Sequence, residues 1–314
     1  MSNPALPSLD PEFFSRLLDS FPMPKSVGEM RALLDNFAGM LNAGPPTAGA
    51  LHEKVTIREV EGRGVHADVV VPAGGGPHPV LVYLHGGGWV SGSPRTHRKL
   101  AHRFAEAGFL VVSVDYRLAP EHPFPAGLED CVAAVRWAAR EAERFGGDPG
   151  RLAIGGDSAG GNLSAATAIA LARDGSVPRI GAALLLYGVF DFATIRDGLD
   201  RDERFAEIGR GMLDLMVDSY LGANAPHALL CDPRVSPLHA AEHLPPSFVV
   251  VGGADPLLGQ AQRLADALGR AGVAHEHVLV EGMPHGFAQM EFFPQARQTI
   301  DRMVEFLRKH LRVE

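Results

Sequence analysis

Short apolar runs that alternate with longer amphipathic stretches are the feature that most constrains how this chain folds. The runs are rich in valine and often bounded by glycine, and they lie at 80–84, 109–114, 152–154, 182–186, 248–251 and 277–280. Runs this short and apolar are typical of strands buried on both faces. Helical periodicity predicts helices between them, at about 96–108, 127–145, 158–173, 257–272 and 295–311. With a strand pair at 55–60 and 67–71, the alternation predicts an α/β fold around a mostly parallel eight-stranded sheet flanked by helices.

Two segments do not follow this alternation. The first 45 or so residues predict two short amphipathic helices, one after Asp10-Pro11 and one after a capping pattern at Ser26 and Glu29. Residues 189–243 are too long for a simple connection and are rich in Phe, Met, Leu and Ile. We expect both segments to pack over the sheet as a helical cap. The predicted division is N-terminal cap helices at 1–48, the first part of the core at 49–188, a cap insertion at 189–243 and the second part of the core at 244–314.

Composition excludes several classes of function. The 314 residues include 29 Lys or Arg and 37 Asp or Glu, a formal net charge of −8. Partners such as nucleic acid or anionic lipid need clustered positive charge, so neither nucleic acid nor membrane is expected. No apolar run approaches the roughly 20 residues of a membrane span, and no secretory signal pattern is present. Two cysteines are too few for a disulfide framework, and we therefore expect a cytoplasmic protein.

The segment GGDSAGG at 155–161 predicts a nucleophile. It places Gly-x-Ser-x-Gly between a predicted strand and a predicted helix. A serine at such a turn is held in a strained backbone conformation with its hydroxyl exposed, and the small neighbours Gly156 and Gly160 make the turn possible. Ser158 is the candidate nucleophile, and the amide of Ala159 lies at the positive end of the helix. The alternative, a phosphate-binding loop, lacks the Gly-x-x-x-x-Gly-Lys-Ser pattern.

A second motif, HGGGW at 85–89, directly follows the predicted strand at 80–84. Consecutive glycines let backbone N–H groups turn toward a developing negative charge without a side chain in the way. We expect Gly87 and Gly88 to join Ala159 as oxyanion donors. Alone, the motif could equally be a tight turn, but a nucleophilic serine downstream favours the donor interpretation.

A nucleophilic serine needs a base and an acid that orients it, and in strand–helix folds the acid and then the base follow the serine. Asp255, in GGADP, follows the predicted strand at 248–251, and His285, in MPHGF, follows the one at 277–280. All three candidates fall at carboxyl ends of strands, where parallel sheets bind ligands. The simpler alternatives are that Asp255 only caps the next helix and that His285 is an ordinary loop residue.

The remaining polar residues predict structure rather than chemistry. Three histidines lack the compact spacing of metal ligands: His97, His102 and His122. We therefore expect no metal and no cofactor. His275 and His277 share one face of a predicted strand and are interpreted as a solvated edge, with a metal pair as the alternative. The charged cluster at 115–121 is expected to hold a proline-rich loop, and Cys131 to lie in the core.

Together these motifs resemble the hormone-sensitive-lipase family of α/β-hydrolases, the bacterial carboxylesterase group. The resemblance covers roughly residues 55–312 and rests on HGGGW, DYRLAPEHPFPA at 115–126, GDSAGGNL at 156–163, the Asp-Pro-Leu at 255–257 and the His-Gly-Phe at 285–287. It implies the α/β-hydrolase fold with a cap. Its implied triad is Ser158, Asp255 and His285, and its implied oxyanion donors are Gly87, Gly88 and Ala159.

The resemblance also implies a carboxylic ester hydrolase that cleaves short- to medium-chain acyl esters through an acyl-enzyme, with a small-molecule ester as its partner, and it leaves a homodimer open. We expect four residues to line the substrate pocket: Trp89, Tyr187, Phe205 and Met212. Two departures from the family pattern bear on substrate preference: Leu258-Gly259 after the acid motif, and Tyr187-Gly188 where Tyr-Pro is frequent. The alternatives are an amide hydrolase or deacetylase on the same triad, and a non-catalytic ligand-binding receptor, which the presence of a histidine at 285 disfavours.

Overall fold

The structure, a computed structural model, describes residues 24–44, 46–175, 179–195 and 203–313, with the helical segment 203–210 described by its backbone alone. The first predicted helix, at 11–21, lies outside these residues. The described helices are α1 (Val27–Leu41), α2 (Arg98–Glu106), α3 (Ala126–Glu141), α4 (Ala159–Asp174), α5 (Glu203–Leu221), α6 (His227–Leu230), α7 (Leu258–Arg270) and α8 (Pro294–Leu311). Short 3₁₀ helices lie at Ala142–Phe145, Phe192–Thr194, Pro237–His243 and Phe287–Gln289.

The strands are β1 (Ala50–Val60), β2 (Arg63–Val71), β3 (His78–Leu84), β4 (Leu110–Asp115), β5 (Gly147–Asp157), β6 (Ala182–Leu186), β7 (Ser247–Gly252) and β8 (His275–Val280). They form one eight-stranded sheet in the order β1-β2-β4-β3-β5-β6-β7-β8. The pairs β1–β2 and β2–β4 are antiparallel, and the other neighbours are parallel. Every predicted run overlaps one of these strands, so the prediction of a mostly parallel eight-stranded sheet is confirmed.

Burial follows from the layered arrangement. Every residue of β3, β6 and β7 is buried, because these central strands are covered on both faces by helices. The final strand, β8, lies at an edge of the sheet, as interpreted from the sequence, but its His275 and His277 are half-buried rather than fully solvated. In the part of the chain that is described, no group of three or more His, Cys, Asp or Glu could hold a metal ion. No helix within the same residues is long and apolar enough to cross a membrane.

The charged cluster after β4 has the structural role expected of it. The Arg117 guanidinium donates from Nε to Oδ2 of the buried Asp130 of α3 at 2.7 Å, and the Tyr116 hydroxyl donates to the carbonyl of His85 at 2.7 Å. Arg31 of α1 donates to both carboxylate oxygens of Glu121, at 2.8 and 2.6 Å. These bonds join α1, α3 and the loop after β3 to the loop after β4. The loop after β3 carries the HGGGW motif, so the cluster helps to fix that motif in place.

The turn from β5 into α4 depends on a very close approach to the end of β3. A Cβ atom added to Gly160 would lie 1.9 Å from the carbonyl oxygen of Leu84, and one added to Gly156 would lie 2.4 Å from the same oxygen. Real carbon and oxygen atoms do not approach so closely, and the obstacle is backbone rather than a movable side chain. Glycine at both positions therefore allows α4 to pack against β3.

Replacing Gly160 with alanine should destabilise the protein by about 3 kcal/mol or more, because the added methyl group forces α4 away from β3. Urea unfolding measures the change. The matched control is Gly39→Ala on the exposed face of α1, where an added Cβ meets nothing within 4 Å. That control should stabilise α1 by about 0.5–1 kcal/mol, since alanine loses less backbone entropy than glycine in a helix. Equal unfolding midpoints for the two variants would contradict the packing argument.

Candidate active site

Three side chains from the ends of different strands meet at one edge of the sheet. Ser158 directly follows β5, Asp255 follows β7 and His285 follows β8. The Oγ atom of Ser158 lies 2.9 Å from Nε2 of His285, and Oδ2 of Asp255 lies 2.9 Å from Nδ1 of the same ring. Because β5, β7 and β8 run parallel, their carboxyl ends share one edge, and residues 97 and 30 positions apart come into contact.

The backbone holds Ser158 in an unusual conformation, with φ 54° and ψ −119°. Few residues other than glycine adopt a positive φ, and such strain persists only where the surroundings impose it. Here the amide of Ser158 donates to the carbonyl of Leu186 at 2.9 Å, and its carbonyl accepts from Asn162 at 3.1 Å. The serine is therefore fixed between β6 and the first turn of α4, half-buried, with its hydroxyl directed to the imidazole.

Asp255 orients the imidazole and also closes a turn just before α7, whose N-cap is Leu257. Its side chain is fully buried; Oδ1 accepts from the amide of Leu257 at 2.7 Å, and Oδ2 accepts from Nδ1 of His285. The carboxylate therefore closes the turn into α7 and also orients the imidazole. Since the Nδ1 proton is engaged, Nε2 of the neutral ring is free to accept the hydroxyl proton of Ser158.

The charges around His285 strengthen it as a base. Burial lowers the pKa of His285, but the attraction and hydrogen bond of Asp255, together with the attraction of Asp157, outweigh burial and raise the pKa above the ordinary 6.5. The side chain is still 35% exposed, so a bound molecule can reach it. The imidazole is thus both accessible and more basic than usual.

The HGGG loop lies against Asp157, the residue before the serine: the Gly86 amide donates to Oδ1 of Asp157 at 3.1 Å, and a Cβ on Gly86 would lie 2.9 Å from the Asp157 carbonyl oxygen. Gly87 has φ 127° and Gly88 φ 62°, conformations that glycine adopts without steric cost. The Gly87 carbonyl points into the turn, where it accepts from the amides of Val90 at 3.2 Å and Ser91 at 3.0 Å. Among the residues that the structure describes, the N–H groups of Gly87, Gly88 and Ala159 have no acceptor. The third of these begins α4, where the helix dipole also favours negative charge.

His85, which begins this motif, is a neutral ring in the core. Burial and the nearby His97 lower the pKa of His85 to about 3, so the ring is neutral. Its Nδ1–H donates to the carbonyl of Gly86 at 2.9 Å, and the ring stacks on Tyr116 at 4.2 Å. The His85 side chain therefore has a structural role, and supports the HGGG loop through these two contacts.

The four residues expected to line the substrate have different surroundings. Trp89 is 3% exposed and stacks on Tyr220 of α5 at 4.9 Å. Tyr187 is fully buried, with its ring 5.0 Å from that of His285 in an edge-on arrangement. Met212 is half-buried against the core, and the side chain of Phe205 lies outside the described part of the chain. Their role in substrate binding stays a prediction.

A second buried polar network adjoins the site, and sequence reasoning missed it. The Tyr83 hydroxyl and the Gly86 amide donate to Oδ1 of Asp157 at 2.9 and 3.1 Å. Nε2 of His97 lies 3.3 Å from Oδ2 of that carboxylate and 2.7 Å from Nε2 of Gln289. Burial alone would raise the pKa of Asp157, but His97 and the hydrogen bonds lower it, so it is a carboxylate. This network connects β3, the HGGG loop and the 3₁₀ helix that follows His285.

Comparison with known proteins also identifies this chain as an α/β-hydrolase. A family model described as alpha/beta hydrolase fold matches residues 81–289. Carboxylesterase NlhH of Mycobacterium tuberculosis is 37% identical over 242 residues, covering 74% of this chain and 74% of that protein. Ethyl acetate hydrolase of Pseudomonas putida is 35% identical over 237 residues, covering 74% of this chain and 73% of that protein.

Solved structures agree over nearly the whole chain. A hyperthermophilic esterase from the archaeon Pyrobaculum calidifontis superposes with a TM-score of 0.86 at 30% identity, covering 98% of this chain and 99% of that one. An esterase from the bacterial hormone-sensitive lipase family superposes with a TM-score of 0.79 at 34% identity, covering 99% and 100%. The predicted family and the predicted enzyme class, a carboxylic ester hydrolase, are confirmed.

Proposed function

Because the chain belongs to the α/β-hydrolase family, in its bacterial hormone-sensitive-lipase group, we propose that it is a serine carboxylesterase acting on short- to medium-chain acyl esters through an acyl-enzyme. One observation carries the proposal: Ser158, His285 and Asp255 form a continuous chain of 2.9 Å contacts beside backbone N–H groups that have no acceptor in the described residues. Nucleophile, base, orienting acid and oxyanion donors are the complete requirement for acyl transfer.

In the first step, Nε2 of His285 accepts the hydroxyl proton as Oγ of Ser158 forms a bond to the ester carbonyl carbon. The carbonyl π electrons move to the oxygen, and the resulting oxyanion accepts hydrogen bonds from backbone amides. Asp255 stabilises the imidazolium and fixes its tautomer without taking the proton. Each oxyanion donor lowers the barrier by about 2.7–4 kcal/mol.

The intermediate then collapses. The bond from the carbonyl carbon to the alkoxy oxygen breaks, and the imidazolium of His285 gives its proton to the leaving alcohol, which leaves the acyl group on Ser158. A water molecule attacks this acyl group with the imidazole again as base. The bond between the acyl carbon and Oγ of Ser158 then breaks, the imidazolium returns its proton to Oγ, and the carboxylic acid is released.

The proposal includes a cap formed by residues 1–48 and 189–243. In support, Phe192 and Tyr220 both pack on Trp89, at 5.0 and 4.9 Å between ring centroids. Met216 of α5 lies so close to Gly88 that an added Cβ there would be 1.9 Å from its sulfur. Apolar side chains of the insertion therefore bound the space above the oxyanion loop, which favours small acyl groups.

Ser158→Ala should lower kcat for p-nitrophenyl acetate by about 10⁶-fold, because the nucleophile and its proton transfer are lost together. The matched control is Ser164→Ala, a buried serine on the same helix whose hydroxyl has no hydrogen-bond partner among the described residues. It should keep full activity and should label with a fluorophosphonate, whereas Ser158→Ala should not. Near-normal turnover by Ser158→Ala would reject the assignment.

The pH dependence of kcat/KM should report His285. Only the neutral ring can accept the proton of Ser158, so activity should rise with pH through the pKa of His285 and fall tenfold per pH unit below it. Since the pKa is raised, the midpoint should lie above 6.5. The residual activity of Asp255→Asn should show a lower midpoint, because the main cause of the raised pKa is removed. A wild-type midpoint below 6.5 would contradict the electrostatic argument.

Acyl-chain preference should follow the small space under the insertion. We expect p-nitrophenyl esters from acetyl to hexanoyl to be cleaved faster than the palmitoyl ester, measured as kcat/KM on monomeric substrate. A rate maximum above about twelve carbons would contradict the proposed cap, although not the triad, since a long-chain acyl group can react at the same serine. A matched anilide cleaved faster than its ester would favour the amide-hydrolase alternative.

A further inference from the structure

One buried amide makes contact with three separate parts of the site. Asn162 lies in the first turn of α4, four residues after Ser158, and is fully buried. Its Nδ2 donates to the carbonyls of Val189 and Val235, both at 2.8 Å, and its Oδ1 accepts from the indole N–H of Trp89 at 3.3 Å. Carbonyl oxygens require the NH₂ group and an indole N–H requires the oxygen, so these partners admit only one orientation of the amide.

The two carbonyls belong to the two ends of the inserted segment. These ends are also joined to each other, since the amide of Leu238 donates to the carbonyl of Phe190 at 2.9 Å and the amide of Phe192 donates to Oγ of Ser236 at 2.8 Å. The base of the insertion is therefore a paired unit, and Asn162 fastens that unit to α4. In turn, the paired carbonyls fix the direction in which the amide oxygen points.

The third partner of the Asn162 side chain is Trp89, whose indole N–H can donate only if the amide oxygen faces it. Trp89 directly follows Gly88 and has φ 62°, a left-handed conformation that is unusual for a bulky residue and persists only where the surroundings impose it. Its carbonyl accepts from the amide of Ala119 at 3.0 Å, and its ring stacks on Tyr220 with only 7° between the planes. The bond to Asn162 is the contact that links this ring to the helix carrying the serine.

We propose that Asn162 is a positioning residue for the oxyanion loop: oriented by both ends of the insertion, its amide holds the Trp89 indole and thereby the Gly88 amide at its place beside Ser158. The inference rests on the proposed esterase function and adds a residue outside the triad on which stabilisation of the transition state depends. Because Asn162 reaches the reaction only through Trp89, it is not itself a catalytic residue.

Two variants test the idea, with kcat expressed per active site after titration to completion with a fluorophosphonate. Asn162→Leu keeps the branching at Cγ and removes all three hydrogen bonds. We expect it to lower kcat for p-nitrophenyl acetate about 100-fold, the size of effect that a displacement of about 1 Å in a reacting geometry can have. Trp89→Phe keeps a ring against Tyr220 but removes the indole N–H, and should lower kcat about five- to tenfold.

The KM of the acetate ester should change less than about threefold in both variants, because oxyanion contacts strengthen only in the transition state. The double variant should be no slower than Asn162→Leu alone, since both substitutions break the same bond. A double variant that is slower by the product of the two single effects would show that they act independently, and would overturn the proposal.

The control is Gln260→Met. Gln260 of α7 is a second buried amide that holds the start of the insertion: Oε1 accepts from the amides of Phe190 at 3.0 Å and Asp191 at 2.8 Å. No bond from this side chain to the oxyanion loop is found in the described residues, so Gln260→Met should lower the melting temperature while kcat stays within about threefold. If Gln260→Met lowers kcat as much as Asn162→Leu does, then the position of the insertion accounts for the loss of kcat, and the proposal is wrong.

The outcomes separate this inference from the proposed function. If Asn162→Leu does not fold, Trp89→Phe with the Gln260→Met control decides, and an unchanged kcat in Trp89→Phe overturns the inference. If Ser158→Ala keeps its activity, the esterase mechanism itself fails. If Ser158→Ala is inactive and folded Asn162→Leu has normal kcat, only the positioning role of Asn162 fails.

Discussion

The contact between the carboxyl end of β3 and the first turn of α4 is the constraint on which the rest of the site depends. Leu84 ends β3, and its carbonyl oxygen lies where any side chain at Gly156 or Gly160 would have to be. Because the HGGG loop begins at the next residue, this approach brings backbone donors alongside Ser158. The same backbone contact that closes the core therefore also brings together the two halves of the proposed active site.

The buried ionisable groups near this contact differ in charge: the carboxylates lie near His285, whereas His85 is neutral. Asp157 and Asp255 are both buried and both lie near His285, where each raises the pKa of the ring. His85, only a few residues from the donors, is neutral because burial lowers its pKa. The ring of His285 is therefore more basic than usual, while His85 adds no positive charge close to the N–H groups of Gly87 and Gly88. In the proposed mechanism those N–H groups act as uncharged donors, which need no protonation to work.

The sequence predicts local parts of this site well and remote parts poorly. Short valine-rich runs mark strands because both faces are buried, and Ser158, Asp255 and His285 can be found because each follows such a run. Asn162, His97 and Gln260 could not be found in this way, since the partners named above lie about 30 to 190 positions away and a buried amide or imidazole leaves no periodic signal. The cytoplasmic location and the division into core and cap stay predictions.

Gly188, which stands where relatives frequently have proline, bears on how the insertion begins after β6. The family pattern frequently has proline there, but a Cβ at Gly188 would lie 2.7 Å from the ring of Phe190 and 3.1 Å from the backbone nitrogen of Asn162. Phe190 is fully buried and occupies that space. Glycine at 188 and the position of the Phe190 ring are therefore coupled, so a proline would displace the residues that directly follow it. A change in substrate preference at this position would consequently come from the way the insertion leaves β6, rather than from a side chain that touches the substrate.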